Sequence, residues 1–137
     1  MSGGRLSRPS GGGPDRRRLI GAAGEAAAAA HLIANGYEVL DSNWRCRYGE
    51  LDLVAAKPDV LVFVEVRAKS SGSLGRFGTP QESVGVRKRQ KLLRLAEAYL
   101  QRMKDPPPAR IRFDLIAVVI DRNEGRPVAV EHIENAF

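Results

Sequence analysis

The sequence predicts one mixed α/β domain whose elements follow in the order α-β-β-β-α-β-β. Its 137 residues suit a single hydrophobic core and are few for two. Apolar residues recur at helical spacing in two stretches, and they form short strand-like runs in five others. The composition, 43% apolar and 28% charged, is typical of a folded chain and not of a disordered one.

The first helix is predicted from about Asp15 to Gly36, because glycine readily adopts the left-handed conformation that ends many helices. Its apolar stripe is predicted to consist of Leu19, Ala23, Ala26, Ala27, Ala30 and Ile33. Residues 1–14 are mostly Gly, Ser, Pro and Arg, with few apolar side chains to bury. They are therefore predicted to form a disordered basic tail, and residues 15–137 a single domain.

Three strands follow the first helix and are predicted to form an antiparallel meander, because their connections are short. The predicted strands are residues 37–44, 50–57 and 60–69. A loop rich in Ser and Gly comes next, at residues 70–78. Its length and composition make it a candidate functional loop.

The second helix is predicted to begin at a capping box, Thr79 to Glu82, or at Ser83, and to end near Met103. Its apolar stripe is predicted to consist of Leu92, Leu93, Ala96, Tyr99 and Leu100. The strongly apolar residues 111–120 suit a strand in the sheet interior, and the weaker residues 127–133 suit an edge strand.

Charge, cysteine content and hydropathy restrict the class of protein. Residues 1–18 hold five arginines and one aspartate, a net of +4 out of the formal +6. Both a phosphate-binding arm and a merely solvated tail explain this distribution. Cys46 is the only cysteine, which excludes an internal disulfide and suits a reducing cytoplasm. No run of eighteen apolar residues occurs, so no membrane span is expected.

Two carboxylates interrupt the second and third predicted strands. Alternation places one set of third-strand side chains on a common face: Leu61, Phe63, Glu65, Arg67 and Lys69. In the second strand, Leu51 and Leu53 are predicted on one face and Asp52 on the other. A charge within a strand is costly to desolvate unless it is paired or binds a cation. Glu50 is interpreted as a solvated turn residue.

Asp52 and Glu65 therefore have two interpretations. Neighbouring strands would bring their oxygens together as ligands for a hard metal ion such as Mg²⁺. Alternatively, they form cross-strand ion pairs on a wet sheet face, Asp52 with Arg67 and Glu65 with Lys69. The residues alone do not decide between the two interpretations.

Basic and aromatic residues supply candidate nucleic-acid contacts. Cations on the second helix and on the loop before it are candidates for phosphate contacts: Arg76, Arg87, Lys88, Lys91 and Arg94. A solvated helix face is the alternative. Trp44 and Tyr48 have the chemistry to stack on a base, although core packing is favoured for both. His31 and His132 sit in no metal-ligand spacing and are interpreted as isolated residues.

Several motifs occur in an order and spacing that resemble the YraN-like family of uncharacterised bacterial proteins. They are Gly24-Glu25 before an alanine-rich helix, Gly-Tyr-Glu-Val-Leu with Asn43 and Arg45, Tyr-Gly-Glu-Leu-Asp-Leu, Val-Phe-Val-Glu-Val-Arg, Phe-Gly-Thr-Pro, Arg-Phe-Asp and a terminal Asn-Ala-Phe. The match spans about Ile20 to Phe137. That family looks like a branch of the nuclease superfamily defined by Asp…(Asp/Glu)-x-Lys, close to Holliday-junction resolvases.

The resemblance implies a restriction-endonuclease-like αβββαβ core, in which helices flank a mixed central sheet. It implies that Asp52 and Glu65 bind Mg²⁺ or Mn²⁺, with the carbonyl of Val66 as an extra ligand and Glu25 as an accessory acid. The implied activity is metal-dependent hydrolysis of phosphodiester bonds in DNA, with branched or structured DNA as a candidate substrate. A homodimer is expected by analogy with two-fold resolvases.

The sequence departs from the superfamily pattern at position 67, where arginine replaces lysine. Arginine does not release a proton near neutrality and so is no general base, but it can hold phosphate bidentately. Lys69 is a candidate replacement for the missing lysine. Two alternatives to a nuclease remain: a non-catalytic nucleic-acid-binding module on the same fold, and an interaction protein whose acids only form ion pairs.

Overall fold

The computed structural model describes residues 13–72 and 85–137, which form a five-stranded sheet with a helix against each face. In chain order the elements of these ranges are α1 (Gly13–Ala34), β1 (Glu38–Cys46), β2 (Gly49–Lys57), β3 (Val60–Ser70), α2 (Val86–Arg102), β4 (Arg110–Ile120) and β5 (Pro127–Ile133). The predicted order of elements is confirmed. Most of the predicted tail and loop, with Arg76 and the predicted capping residues, lies outside the described residues.

The strands lie in the sheet in the order β1-β2-β3-β4-β5. The first three form the predicted antiparallel meander. β4 runs parallel to β3, and α2 lies between them in the chain because parallel neighbours need a crossover connection. β5 pairs antiparallel with β4 at the sheet edge, as predicted. The result is a restriction-endonuclease-like αβββαβ core with a mixed sheet flanked by helices.

The alternation of β3 divides the core into two layers. Leu61 and Phe63 pack beneath α2, whereas Val62 and Val64 pack beneath α1. Both faces of the central strands are thus buried, which explains their nearly continuous apolar sequences. In the two ranges that the structure describes, no helix is long and apolar enough to cross a membrane.

The buried stripe of α1 differs from the predicted one. Its most buried positions are Gly24, Ala28 and Leu32, whereas Leu19 and Ile33 are 70% and 61% exposed. The prediction holds for Ala23 and Ala27, which pack against the core, and is wrong for the rest of the predicted stripe. Alanine occurs on every side of this helix, so apolar periodicity selects no unique face. Tertiary contact selects it instead: a Cβ atom on Gly24 would lie 2.5 Å from the Cβ atom of Ala68.

α2 begins at Val86 with Gly85 as its N-cap, and the predicted start at Thr79 or Ser83 lies outside the described residues. Gly85 has an extended backbone and supplies no side-chain cap. The buried residues of the helix are Leu92, Leu95, Ala96 and Tyr99. Leu93 is 51% exposed, which corrects its predicted place in the apolar stripe.

Candidate metal centre

The strand that carries Asp52 changes face at this residue. Leu51 packs in the layer beneath α2 and Leu53 in the layer beneath α1, so the prediction that they share a face is wrong. On the facing strand, Asn43 has a left-handed φ of 54°. The β2–β3 ladder also ends here, at the pair Leu53 and Val64. Strand alternation holds only along a continuous ladder, whereas here the β1–β2 register skips Asn43 and Asp52 and the β2–β3 ladder has ended.

The side chain of Asp52 contacts β3 at the point where the β2–β3 ladder has ended. Its Oδ2 atom accepts a hydrogen bond of 2.8 Å from the backbone N–H of Val66. The N–H and C=O groups of one residue in an extended strand point to the same side. The carbonyl of Val66 therefore also faces the strand of Asp52, beyond the end of the backbone ladder.

Three acids on three different elements surround this position. Burial raises the pKa of Asp52 to about 6, against the lowering effect of the Val66 hydrogen bond. The negative charges of Glu25, Glu65 and Glu50 raise the pKa further. The structure therefore brings Glu25 of α1, Asp52 of β2 and Glu65 of β3 into one electrostatic cluster. Glu50, interpreted from the sequence as a turn residue, adds to this negative field.

Glu65 is held by two cations. Its Oε2 atom lies 2.6 Å from Nζ of Lys88 and 3.4 Å from Nε of Arg67. The pairing predicted under the ion-pair interpretation is thus wrong for Arg67, which contacts Glu65 and not Asp52. Lys88, predicted as a phosphate contact, brings an amine from α2 to the acid. The contact spans 23 positions of sequence and depends on how α2 packs on the sheet.

Glu25 and Lys69 line a cleft of about 430 Å³ between α1 and β3. Val66 and Ala68 form part of its wall. The close approach of α1 at Gly24 brings the next residue, Glu25, to this wall. Lys69, the predicted replacement for the missing lysine, therefore lies in the cleft between α1 and β3. The amine that contacts Glu65 is that of Lys88.

The donor set suits a hard divalent cation. Asp52 and Glu65 offer carboxylate oxygens, which Mg²⁺ and Mn²⁺ prefer. Within residues 13–72 and 85–137, no three Asp, Glu, His or Cys side chains are grouped as a preformed metal site. Mg²⁺ commonly takes one or two carboxylates and completes its shell with water and phosphate oxygens, so two carboxylates are compatible with it.

The remaining predicted phosphate contacts lie on the surface of α2. Arg87, Lys91 and Arg94 are exposed, and the side chain of Lys91 packs over Gly49 at the end of the β1–β2 hairpin. Arg76 lies outside the residues that the structure describes. The exposed cations are therefore available to an anionic partner on the helix that also carries Lys88.

A second charged cluster centres on Asp114, a fully buried residue of β4. Arg112 donates two hydrogen bonds of 2.9 Å to its two oxygens, and the backbone N–H of Asn135 donates one of 3.1 Å. Nε2 of His132 lies 2.8 Å from Oδ2 of Asp114. Burial alone would raise the pKa of Asp114, but these hydrogen bonds hold it below its usual value.

Two histidines extend this cluster to the surface of α1. Nε2 of His31 lies 3.1 Å from Nδ1 of His132, so their interpretation as isolated residues was wrong. They are 101 positions apart in the sequence, and no local pattern joins them. The available signal was an acid in the middle of a strongly apolar strand, two residues after an arginine: Asp114 requires buried partners.

The aromatic residues of the β1–β2 hairpin have different environments. Trp44 packs edge-to-face on Tyr99, with ring centroids 5.2 Å apart, which confirms its predicted core packing. Tyr48 is 41% exposed, so core packing was the wrong prediction for it. Its exposure follows from its place in the turn between the two strands.

The fold and the arrangement of acids define an α/β protein with a restriction-endonuclease-like core and a carboxylate cluster at one end of its meander. The chain belongs to the uncharacterised protein family UPF0102, which matches residues 24–118. A UPF0102 protein of Moorella thermoacetica is 50% identical over 88% of this chain and 97% of its own length. One from Pelotomaculum thermopropionicum is 49% identical over 90% and 98% of the two chains. The predicted YraN-like family is thereby confirmed.

Proposed function

We propose that this protein is a Mg²⁺- or Mn²⁺-dependent endonuclease that hydrolyses DNA in the cytoplasm. The observation that carries the proposal is the environment of Asp52. Burial and the charges of Glu25 and Glu65 raise its pKa to about 6, and no Lys or Arg of the described ranges forms a salt bridge with it. A divalent cation at this position would offset the repulsion among the acids.

The residues of the site have distinct roles in this proposal. Asp52, Glu65 and the carbonyl of Val66 would hold the ion, which supplies polarisation of the scissile phosphate and a more acidic water. Glu25 is half-buried beside them and can accept a hydrogen bond from a water molecule at the acidic cluster. Its role is to orient that water.

Lys88 takes the place of the lysine that is missing at position 67. Its amine lies 2.6 Å from Glu65, where it orients the carboxylate and can donate a further hydrogen bond to a phosphate oxygen. The guanidinium of Arg67 can bind the phosphate bidentately. Lys88 and Arg67 together thus take the roles that a single lysine has in the superfamily pattern.

A DNA substrate is supported by the basic surface beside the acids. Arg87, Lys91 and Arg94 are exposed on the helix that places Lys88 at Glu65. Cations along one helix can follow a phosphate backbone and position a scissile bond without reading its sequence. Branched or structured DNA is the candidate substrate implied by the resemblance to resolvases.

A non-catalytic nucleic-acid-binding module is the second candidate function. It is favoured by the arginine at position 67 and by the pairing of Glu65 with both Arg67 and Lys88. In such a protein the acids would form a charged structural cluster, and the basic helix alone would bind nucleic acid.

Cleavage of supercoiled plasmid and of a synthetic four-way DNA junction, with Mg²⁺, Mn²⁺ or chelator, tests the proposal. We expect Asp52→Asn and Glu65→Gln to lower metal-dependent cleavage by about 100-fold or more, because each removes an ion ligand. Asp59→Asn is the matched control, since Asp59 is an exposed acid paired with Arg110. Lys88→Gln should also lower cleavage if its amine acts at the phosphate.

The same experiment separates the two functions. Salt-sensitive binding without cleavage by the wild type, under both metals, would favour the binding module. An ion that binds the folded protein must raise its urea midpoint, so the wild type should gain stability in millimolar Mg²⁺ and Asp52→Asn should not. A wild-type midpoint indifferent to both ions would contradict the metal site.

A further inference from the structure

A groove lies between the end of the β1–β2 hairpin and the C-terminal half of α2, apart from the acids. Its volume is about 520 Å³, within the range of small-molecule sites. The residues of its lining that matter here are Trp44, Arg47, Tyr48, Gln101 and Arg102. None of the residues that line it in the described part of the chain is acidic.

Planar groups dominate the groove. The guanidinium of Arg102 lies 5.8 Å from the ring centroid of Trp44, and that of Arg47 lies 5.3 Å from the ring centroid of Tyr48. Tyr99 holds the Trp44 ring from behind in an edge-to-face contact. Aromatic rings and guanidinium planes are the surfaces on which unpaired bases stack in proteins that bind single strands.

The polar groups of the groove suit a nucleotide. The amide of Gln101 carries both donors and an acceptor, which match the edge of a base. Arg47 and Arg102 can bind the phosphates on either side of that base. An unpaired nucleotide therefore satisfies the rings, the amide and the charges together.

One helix connects this groove with the acidic cluster. Lys88 contacts Glu65, Lys91 packs over Gly49, and Arg102 reaches Trp44. Fourteen residues separate Lys88 from Arg102, which corresponds to about 21 Å along an α-helix. A strand that follows these cations would reach the groove a few nucleotides from a phosphate at Glu65.

We propose that this groove binds an unpaired nucleobase of a single-stranded DNA segment, a few nucleotides away from the phosphate at the acidic cluster. The inference rests on the proposed function for the nature of the ligand, and it makes the protein selective for substrates with unpaired bases. Binding of the unpaired base does not require cleavage of the DNA.

Trp44 is the only tryptophan of the chain, so its fluorescence reports on the groove without a variant. Titration in chelator with an oligothymidylate of about 12 nucleotides should quench this fluorescence, in step with binding measured by anisotropy of a labelled strand. A blunt duplex of the same length should bind without quenching. Anisotropy that rises with the single strand while the fluorescence of Trp44 stays constant would overturn the inference.

Variants of Tyr48 test the stacking directly. Tyr48→Ala should weaken binding of the single strand about tenfold and leave duplex binding within about twofold, because only an unpaired base can stack on the ring. Tyr48→Phe keeps the ring and should bind like the wild type. Arg102→Gln should weaken single-strand binding more than Arg126→Gln, an equal charge change at an exposed arginine elsewhere. An equal loss of affinity for single-stranded and duplex DNA in Tyr48→Ala would contradict the proposed stacking of a base in the groove.

The outcomes distinguish this inference from the proposed function. If cleavage needs Mg²⁺ and Asp52, but the single strand causes no quenching and Tyr48→Ala has no effect, the nuclease proposal is supported and the base-binding role of the groove is rejected. Quenching and loss of affinity without cleavage by any form of the protein keep the groove and favour the binding module.

Discussion

Asp52 and Asp114 are two aspartates set into apolar strands of the same sheet, and their surroundings are opposite. Asp114 is fully buried and receives hydrogen bonds from Arg112 and His132. Asp52 is partly buried and accepts one from the backbone N–H of Val66. Around Asp114 the polar partners are cationic or neutral donors, whereas around Asp52 they are mostly other acids.

The pKa values of the two carboxyl groups follow from these surroundings. Burial pushes both upward, since it penalises the charged form. At Asp114 the hydrogen bonds outweigh burial, and the pKa falls below its usual value. At Asp52 burial and neighbouring carboxylates prevail, and the pKa rises to about 6. One aspartate therefore stabilises the fold as an anion, and the other destabilises it.

This difference separates a structural charge from a candidate functional one. A buried charge with all its partners present in the chain contributes to stability and needs nothing further. A carboxylate kept among other carboxylates costs stability near neutral pH, and strongly shifted pKa values of this kind are concentrated at functional sites. We therefore expect substitutions at the two positions to have opposite signs.

The largest effect is expected for Asp114→Asn. The neutral side chain would leave Arg112, only 11% exposed, with the exposed Glu134 at 3.6 Å as its remaining acidic partner. Removing one partner of a buried pair typically costs about 3–5 kcal/mol of unfolding free energy. Urea unfolding near neutral pH measures it.

Asp59→Asn is the control for this prediction, because Asp59 forms an exposed pair with Arg110 at 3.7 Å. Its cost should stay below about 1 kcal/mol. Equal costs for the two variants would show that the Asp114 network contributes no more than a surface ion pair, and the comparison with Asp52 would fail.

Asp52→Asn is expected to stabilise the metal-free protein at about pH 8. The amide retains an oxygen for the N–H of Val66 and removes a negative charge beside Glu25 and Glu65. We expect a gain of about 1–2 kcal/mol, less than the pKa shift alone corresponds to, because the group is partly solvated. Urea midpoints in chelator measure this gain, and a loss of stability would assign Asp52 to the structural class of Asp114.

Much of the fold followed from local patterns. Alternation in β3 correctly placed Leu61 and Phe63 on one face of the sheet, and the strongly apolar β4 was correctly placed in the sheet interior. The acids Asp52 and Glu65 stood out because charges interrupt apolar strands. A charge within an apolar strand can be recognised without knowledge of the fold, because its significance depends only on the cost of burying a charge.

The remaining features depend on tertiary contacts that no local pattern contains. The face of α1 that is buried is set by the close contact of Gly24 with Ala68. Apolar periodicity does not reveal this face, because alanine occurs on every side of the helix. Leu51 and Leu53 lie on opposite faces of the sheet at the position where Asn43 of the facing strand has a left-handed backbone. Lys88 reaches Glu65 only after α2 packs on the sheet. Each of these brings together elements that the sequence separates.

The smallest effect is expected in the pH dependence of His31. Burial, and then the charge of His132, lowers the pKa of His31 below 6.5. The unfolded chain therefore binds more protons there, so His31 removes stability as the pH falls through 6.5. Asp52 acts in the opposite direction: its raised pKa removes stability as the pH rises from about 4 to about 6. In the wild type the two slopes partly cancel.

Single variants should separate the two slopes. The stability difference between His31→Gln and the wild type should rise as the pH falls from about 7 to about 5, by less than about 1 kcal/mol because the ring is partly solvated. For Asp52→Asn the difference should instead shrink over the same range, as the wild-type carboxyl takes up its proton. Urea midpoints at several pH values measure both, and groups common to the paired proteins cancel. A pH-independent difference for His31→Gln would mean that His31 titrates alike in the folded and unfolded chains, and that its contact with His132 does not affect its protonation.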